Sequence, residues 1–250
     1  MSKNDLKIQS AIVTTKEKLP NRLLITGKLV YPETYDNVFL FYIIEINCSW
    51  TSCTKVKKAI VDELEQAVKI GITNIGQFES LVNNINEALD KVSVDGENIW
   101  IGKINAIIGL INHTELILTQ TGSLSGYIFR GKKISSLVEL SLPSDHPLKT
   151  FIDITEGELA AGDKLIFANS TLFDHFSLDR LRQLTGIKSA KESILELSRN
   201  LRRNRVYDVN SIIIEAVPLD QIENKETNDL PEIIYLDNPD DIWWKNLKKK

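Results

Sequence analysis

Few residues in this 250-residue chain carry chemistry at spacings that fit together. Asp145-His146 and Asp174-His175 have the residue types of a general acid/base pair. No serine or cysteine nucleophile motif accompanies them, and sequence neighbours on a strand point to opposite faces, so both read as incidental surface pairs. His113 falls between two strand patterns, where a solvated turn residue is expected. Arg199, Arg202, Arg203 and Arg205 gather at the end of a helical pattern. Cations there complement the negative end of a helix dipole, and an anion or nucleic-acid contact is the alternative reading. Glu45 ends a long apolar run, which calls for water or a nearby lysine at the strand end. No glycine-rich phosphate loop occurs, and Gly122-Ser-Leu-Ser-Gly126 is too short to be one.

The elements that would position these residues follow from periodicity. Residues 6–15 and 22–30 alternate as strands, and Val38–Ile46 (VFLFYIIEI) is a continuous β-branched and aromatic run suited to a central strand buried on both faces. From Thr54 the period becomes helical through Val56, Ile60, Leu64, Ala67 and Val68, with Gly71 as C-terminal cap. A second amphipathic helix follows Asn74. Strand patterns return at 100–111 and 115–121 around a turn at 112–114, and again at 125–130 and 132–139 around Gly131. Residues 143–163 are turn-rich and half extended. The Gly162-Asp163 turn then leads into the apolar Leu165–Ala168, which delivers the polar loop Asn169-Ser170-Thr171 before a helix beginning at Ser177. A further helix over 189–203 opens with the capping box Ser189-x-x-Glu192, and a last strand covers 211–217. Strands, two helices, hairpins, two helices and a strand define an α+β protein with antiparallel sheets.

Composition is that of a globular chain, 42% hydrophobic and 26% charged, with a formal net charge of -4. That balance gives no general attraction to nucleic acid. Cys48 and Cys53 are too few for a disulfide framework and are expected as reduced thiols. The N-terminus has no apolar leader, and no window of about 20 residues is free of strongly polar groups, so we expect a soluble cytoplasmic protein without a transmembrane segment. We place one domain over residues 1–217. Residues 218–250 are an acidic, low-hydrophobicity tail, not expected to pack as a domain, that ends in Trp243, Trp244 and a lysine-rich terminus. Those tryptophans either fold back on the domain or contact a partner or a membrane surface.

The stretch GELAAGDKLIFANST, residues 157–171, resembles a signature of the metal-dependent PPM-type (type 2C) serine/threonine phosphatases, in which a Gly-Asp turn and an apolar strand present Ser-Asp-Gly. Asn169-Ser170-Thr171 stands in place of that tripeptide, so Ser170 replaces a metal-binding Asp. The resemblance covers roughly residues 8–217. Leu40–Ile46 looks like the strand that in the family ends in a metal-binding Asp-Gly, with Glu45 and Ile46 in those places. Residues 107–127 resemble the hairpin ending Gly-Asp-Ser-Arg-Ala-Tyr, with Gly122 and Tyr127 kept and Ser123 where the Asp would be. Residues 204–214 resemble the closing Asp-Asn-Ile-Thr strand, with Asp208 kept and Val209 in place of the Asn. The family's early Asn-Glu-Asp motif would lie near Asn21, where Asn21-Arg22-Leu23 resembles a remnant of it with the acidic place apolar.

The resemblance implies a β-sandwich of two antiparallel sheets with helices on both outer faces. The family's reaction uses two hard divalent cations about 4 Å apart, held by converging oxygen ligands, to activate a water for in-line attack on phosphate. Only Glu45 and Asp208 remain as remnant ligands, so we expect no intact metal centre and no cofactor. If the chain were active, the cofactor would be Mn²⁺ or Mg²⁺. The leading expectation is a catalytically inactive pseudophosphatase that binds or regulates a protein partner. One alternative is a divergent phosphatase using Glu45, Asp208 and Asp174 around a rearranged open pocket. The other is a scaffold whose C-terminal tail docks a partner or a membrane.

Overall fold

A computed structural model describes residues 6–15, 21–31, 37–94, 98–139, 142–219 and 230–236. One sheet holds β1 (Leu6–Thr15), β6 (Ser125–Arg130), β7 (Lys133–Ser136), β9 (Lys164–Ala168), β10 (Asn210–Pro218) and β11 (Ile233–Leu236), in the order β11-β1-β10-β9-β6-β7. The other holds β2 (Leu23–Val30), β3 (Val38–Ile46), β4 (Ile104–Asn112), β5 (Glu115–Thr121) and β8 (Ile154–Glu158), in the order β2-β3-β4-β5-β8. Helices α1 (Trp50–Ile70) and α2 (Ile75–Val94) cover the second sheet, and α3 (Ser170–His175), α4 (Leu178–Gly186) and α5 (Ala190–Arg203) cover the first.

The continuous apolar runs belong to strands buried on both faces. In β3, Phe39, Phe41 and Ile43 point between the sheets, while Leu40, Tyr42, Ile44 and Ile46 pack under α1 and α2. In β10, Ile212 and Ile214 join the inter-sheet core and Ile213 joins the layer beneath α4 and α5. Period-two alternation therefore sends each strand's side chains into two different apolar layers, and the outcome is an α-β-β-α sandwich of the kind expected.

Both helix-end signals are realised. Gly71 adopts φ 83° and its N–H donates to the carbonyl of Ala67 at 3.0 Å. Ser189 accepts from the N–H of Glu192 at 3.3 Å while Glu192 Oε2 accepts from the N–H of Ser189 at 2.7 Å, the full capping box.

Several boundaries differ from expectation. Helix α1 begins four residues before Thr54, and β4 begins at Ile104, because residues 99–102 form turns. The turn-rich stretch before Gly162 contains a short 3-10 helix at Pro147–Lys149 and the strand β8, which pairs with β5 at the sheet edge. The loop that was to carry Ser170 is instead α3, with Asn169 as its N-cap.

The largest revision concerns the segment after Pro218. Ile233–Leu236 is a strand, β11, paired in parallel with β1, so the sheet is antiparallel except at this edge. Ile234 and Leu236 are buried against the α5 layer, and Arg202 Nη2 donates to the carbonyl of Tyr235 at 3.0 Å. The chain thus returns to the domain beyond residue 217. Trp243 and Trp244 lie outside the described residues. Among the described residues no helix is long and apolar enough to cross a membrane.

Candidate functional site

Glu45 sits at the end of β3, opposite Leu24 on β2 and Asn105 on β4. Asp208 sits on the approach to β10, in the other sheet. Two side chains fix its backbone. Thr15 at the end of β1 donates its hydroxyl to the Tyr207 carbonyl and accepts the N–H of Val209 at 3.1 Å. Asn169 donates Nδ2 to the Asp208 carbonyl at 3.1 Å and accepts the N–H of Asn210 at 3.2 Å. The strand framing therefore carries both carboxylates to the same end of the sandwich.

What joins them is Arg22, the residue just before β2. Its Nη2 lies 2.8 Å from Glu45 Oε2, and its Nη1 donates to Asp208 Oδ2. Asn47 Nδ2 adds a bond to the other Glu45 oxygen at 3.2 Å. The side chains are 23%, 12% and 34% exposed for Arg22, Glu45 and Asp208, so the pairing is partly withdrawn from solvent. Asp208 Oδ1 and Arg22 Nε are buried without a hydrogen-bond partner.

The electrostatics of the three groups are unequal. Burial raises the Asp208 pKa above its ordinary value. Arg22 opposes that shift, but the nearby charge of Glu45 reinforces it. For Arg22, burial alone would weaken proton binding, and the bonds and charges of Glu45 and Asp208 outweigh it, leaving its pKa raised. One guanidinium holds two carboxylates; Glu45 has a further bond from Asn47, whereas the second oxygen of Asp208 has none.

The other positions expected at the site are elsewhere or neutral. Ser123 is exposed at the β5–β6 turn and is bonded to Asn105. Ser170 opens α3. Val209 is fully buried in the layer under α5. Ile46, in the place of the family's Gly, packs its side chain beneath α1, and its carbonyl accepts a bond from the Cys53 thiol at 3.5 Å. Cys48 and Cys53 are both buried, and no disulfide joins them. Asp174 is exposed on α3 and is not gathered with Glu45 and Asp208 into a metal-binding group of three carboxylates. His113, Asp145, His146 and His175 are all exposed.

Among the described residues no group of three or more His, Cys, Asp or Glu is placed to hold a metal ion. Two carboxylates already bridged by an internal guanidinium do not fit a two-metal centre. Such a centre needs several convergent anionic oxygens to balance two dications. Sequence reasoning reached the Asn21-Arg22-Leu23 segment but weighed only its missing acid, and passed over the arginine beside it.

No family model and no curated protein matches this sequence. The solved structures do match, and they define the fold as that of the PPM-type serine/threonine phosphatases. The catalytic domain of the phosphatase PstP in complex with two manganese ions superposes with a TM-score of 0.64 at 14% identity, covering 85% of this chain and 99% of that one. PppA, a regulatory component of the type VI secretion system of Pseudomonas aeruginosa, gives 0.64 at 13% identity, covering 84% and 98%. The S. agalactiae serine/threonine phosphatase gives 0.63 at 11% identity, covering 85% and 99%. The chain is similar to these along nearly the whole of their length, and at these identities the likeness establishes the fold.

Proposed function

We propose that this chain is a pseudophosphatase: a PPM-type fold that has given up two-metal phosphoester hydrolysis and acts as a protein-binding or regulatory module. The observation that carries the reading is the Arg22 guanidinium lodged between Glu45 and Asp208. A phosphatase of the two-metal kind needs those oxygens free for cations, and it needs more of them. Here each carboxylate has one oxygen engaged by Arg22. The neutral residues at 123, 170 and 209 contribute no further charge. The scaffold around the site is nonetheless fully built, with buried cores on both sides of each sheet. Keeping the scaffold while the ligand set is dismantled fits a role in binding.

The test is a phosphatase assay on the purified full chain, with p-nitrophenyl phosphate and a panel of phosphoserine and phosphothreonine peptides, with and without millimolar Mn²⁺ or Mg²⁺. No metal-dependent turnover above background is expected. Turnover that requires Mn²⁺ and disappears in Asp208→Asn would overturn the reading.

A further inference from the structure

We propose that Arg22 is a built-in substitute for a metal ion, the cation that allows Glu45 and Asp208 to stand side by side, so that removing its guanidinium turns the pair into a site for one divalent cation. The inference rests on the same contacts as the proposed function. It makes a separate claim, about what stabilises this end of the fold.

The geometry has three parts. First, the two carboxylates are presented by different sheets, Glu45 from β3 and Asp208 from the segment leading into β10. A cation between them is therefore a clamp across the mouth of the sandwich. Second, Arg22 divides its two terminal nitrogens between them, Nη2 to Glu45 and Nη1 to Asp208. A planar fork can do this from one fixed position, whereas a lysine ammonium is a single point charge. Third, the backbone that presents the carboxylates is held independently of Arg22. Thr15 and Asn169 fix residues 207–209, and the register of β3 with β4 fixes Glu45. Deleting the guanidinium therefore leaves both carboxylates in place, close and uncompensated, with Asp208 Oδ1 already buried and unpartnered. Oxygen donors arranged this way suit a hard divalent ion that keeps several of its own waters. Two carboxylates make a weak site, with a dissociation constant on the order of 0.1–1 mM.

The experiment compares the full-length wild type with Arg22→Ala, Arg22→Gln and Arg22→Ala/Asp208→Asn by thermal denaturation in EDTA and in 10 mM Mn²⁺, with Mn²⁺ electron paramagnetic resonance to detect bound ion. The wild type is expected to melt at the same temperature in both buffers. Arg22→Ala is expected to melt about 4–8 °C lower in EDTA, the shift that two partly exposed, solvent-screened ion pairs give in a domain of this size. Mn²⁺ should return about half or more of that loss, as ligand concentrations of ten to a hundred times the dissociation constant allow. The double variant should gain nothing from Mn²⁺. Should Arg22→Ala and Arg22→Gln fail to fold in EDTA, recovery of folded protein on refolding in Mn²⁺ supports the proposal, and failure in both buffers overturns it.

It is equally overturned if the single variants show no Mn²⁺ response and no bound ion, or if the wild type gains the same stabilisation. Either result leaves the expectation of no phosphatase turnover untouched. Conversely, turnover by the wild type would remove the functional reading without deciding how Arg22→Ala behaves toward Mn²⁺.

Discussion

Asn105 holds Ser123 by two bonds to a single atom: its Oδ1 accepts the Ser123 N–H at 2.9 Å and the Ser123 hydroxyl at 3.1 Å. The contact sits at the β5–β6 turn, one residue along from Gly122, whose φ of 78° lies in the left-handed region. A Cβ at Gly122 would stand 2.2 Å from that same Oδ1 and 3.0 Å from the Asn105 Cα. Gly122→Ala therefore combines a disfavoured backbone with a clash, and about 2 kcal/mol or more of stability should be lost. Asn105→Ala alone should cost about 1 kcal/mol, because the Ser123 groups it releases reach water. In the double variant the clash with the amide is gone, so the losses should fall short of additivity by roughly 1 kcal/mol in urea denaturation.

A second glycine is constrained by packing alone. A Cβ at Gly109 would lie 2.2 Å from Phe41 Cζ and 2.7 Å from Leu118 Cδ2, in the inter-sheet core where the Phe41 ring is 5.1 Å from that of Phe167. Gly109→Ala should destabilise by about 1–3 kcal/mol through overpacking. Pairing it with Phe41→Leu, which frees ring volume, should recover part of that loss in the same denaturation assay.

Lys28 predicts a pH dependence. Burial lowers its pKa from 10.5. Glu232 partly offsets the shift, Lys191 adds to it, and the ammonium sits 4.5 Å over the Phe39 ring. With the folded pKa below the unfolded one, the unfolded chain holds the proton to higher pH. Stability attributable to this group therefore rises as pH climbs from the depressed value toward 10.5. Lys28→Met should be more stable than wild type near neutrality and should lack that alkaline increment. Melting curves at stepped pH check both, and a variant less stable at pH 7 would refute the sign.

Strand β11 predicts which part of the acidic C-terminal region matters to the fold. Leu236 is fully buried beneath α5, whereas Ile233 is 42% exposed on the same short strand. Leu236→Ala should cost about 2–3 kcal/mol and Ile233→Ala no more than about 0.5 kcal/mol, read from urea midpoints.

Much of this architecture was legible because it was local or strongly periodic. The runs in β3 and β10 announced strands covered on both faces, and Gly71 and Ser189/Glu192 marked helix ends through contacts within a few residues. What escaped was short and set by tertiary context. In β8 four of five residues are exposed, so no alternation shows, and β11 is four residues in an acidic stretch that becomes a strand only because β1 offers an edge. Helix α3 is six residues long with one buried side chain.

The site divides in the same way. Glu45 and Asp208 were found through the strand frames that carry them. Arg22 was missed because one of its two partners lies 186 residues away in sequence, and an ion pair leaves no periodic trace.

The two sheets also differ in how they can be assembled. Strands β2, β3, β4, β5 and β8 all lie between residues 23 and 158, each paired antiparallel with its neighbour in chain order. Their sheet can close while the rest of the polypeptide is still being made. Strand β1 has the opposite history: its partners are β10 and β11, at residues 210–218 and 233–236. Among the described strands, the one made earliest thus pairs with the two made last. During that interval its apolar residues and open edge are available to chaperones or to misassembly, and completion of the domain waits on its most distant contacts.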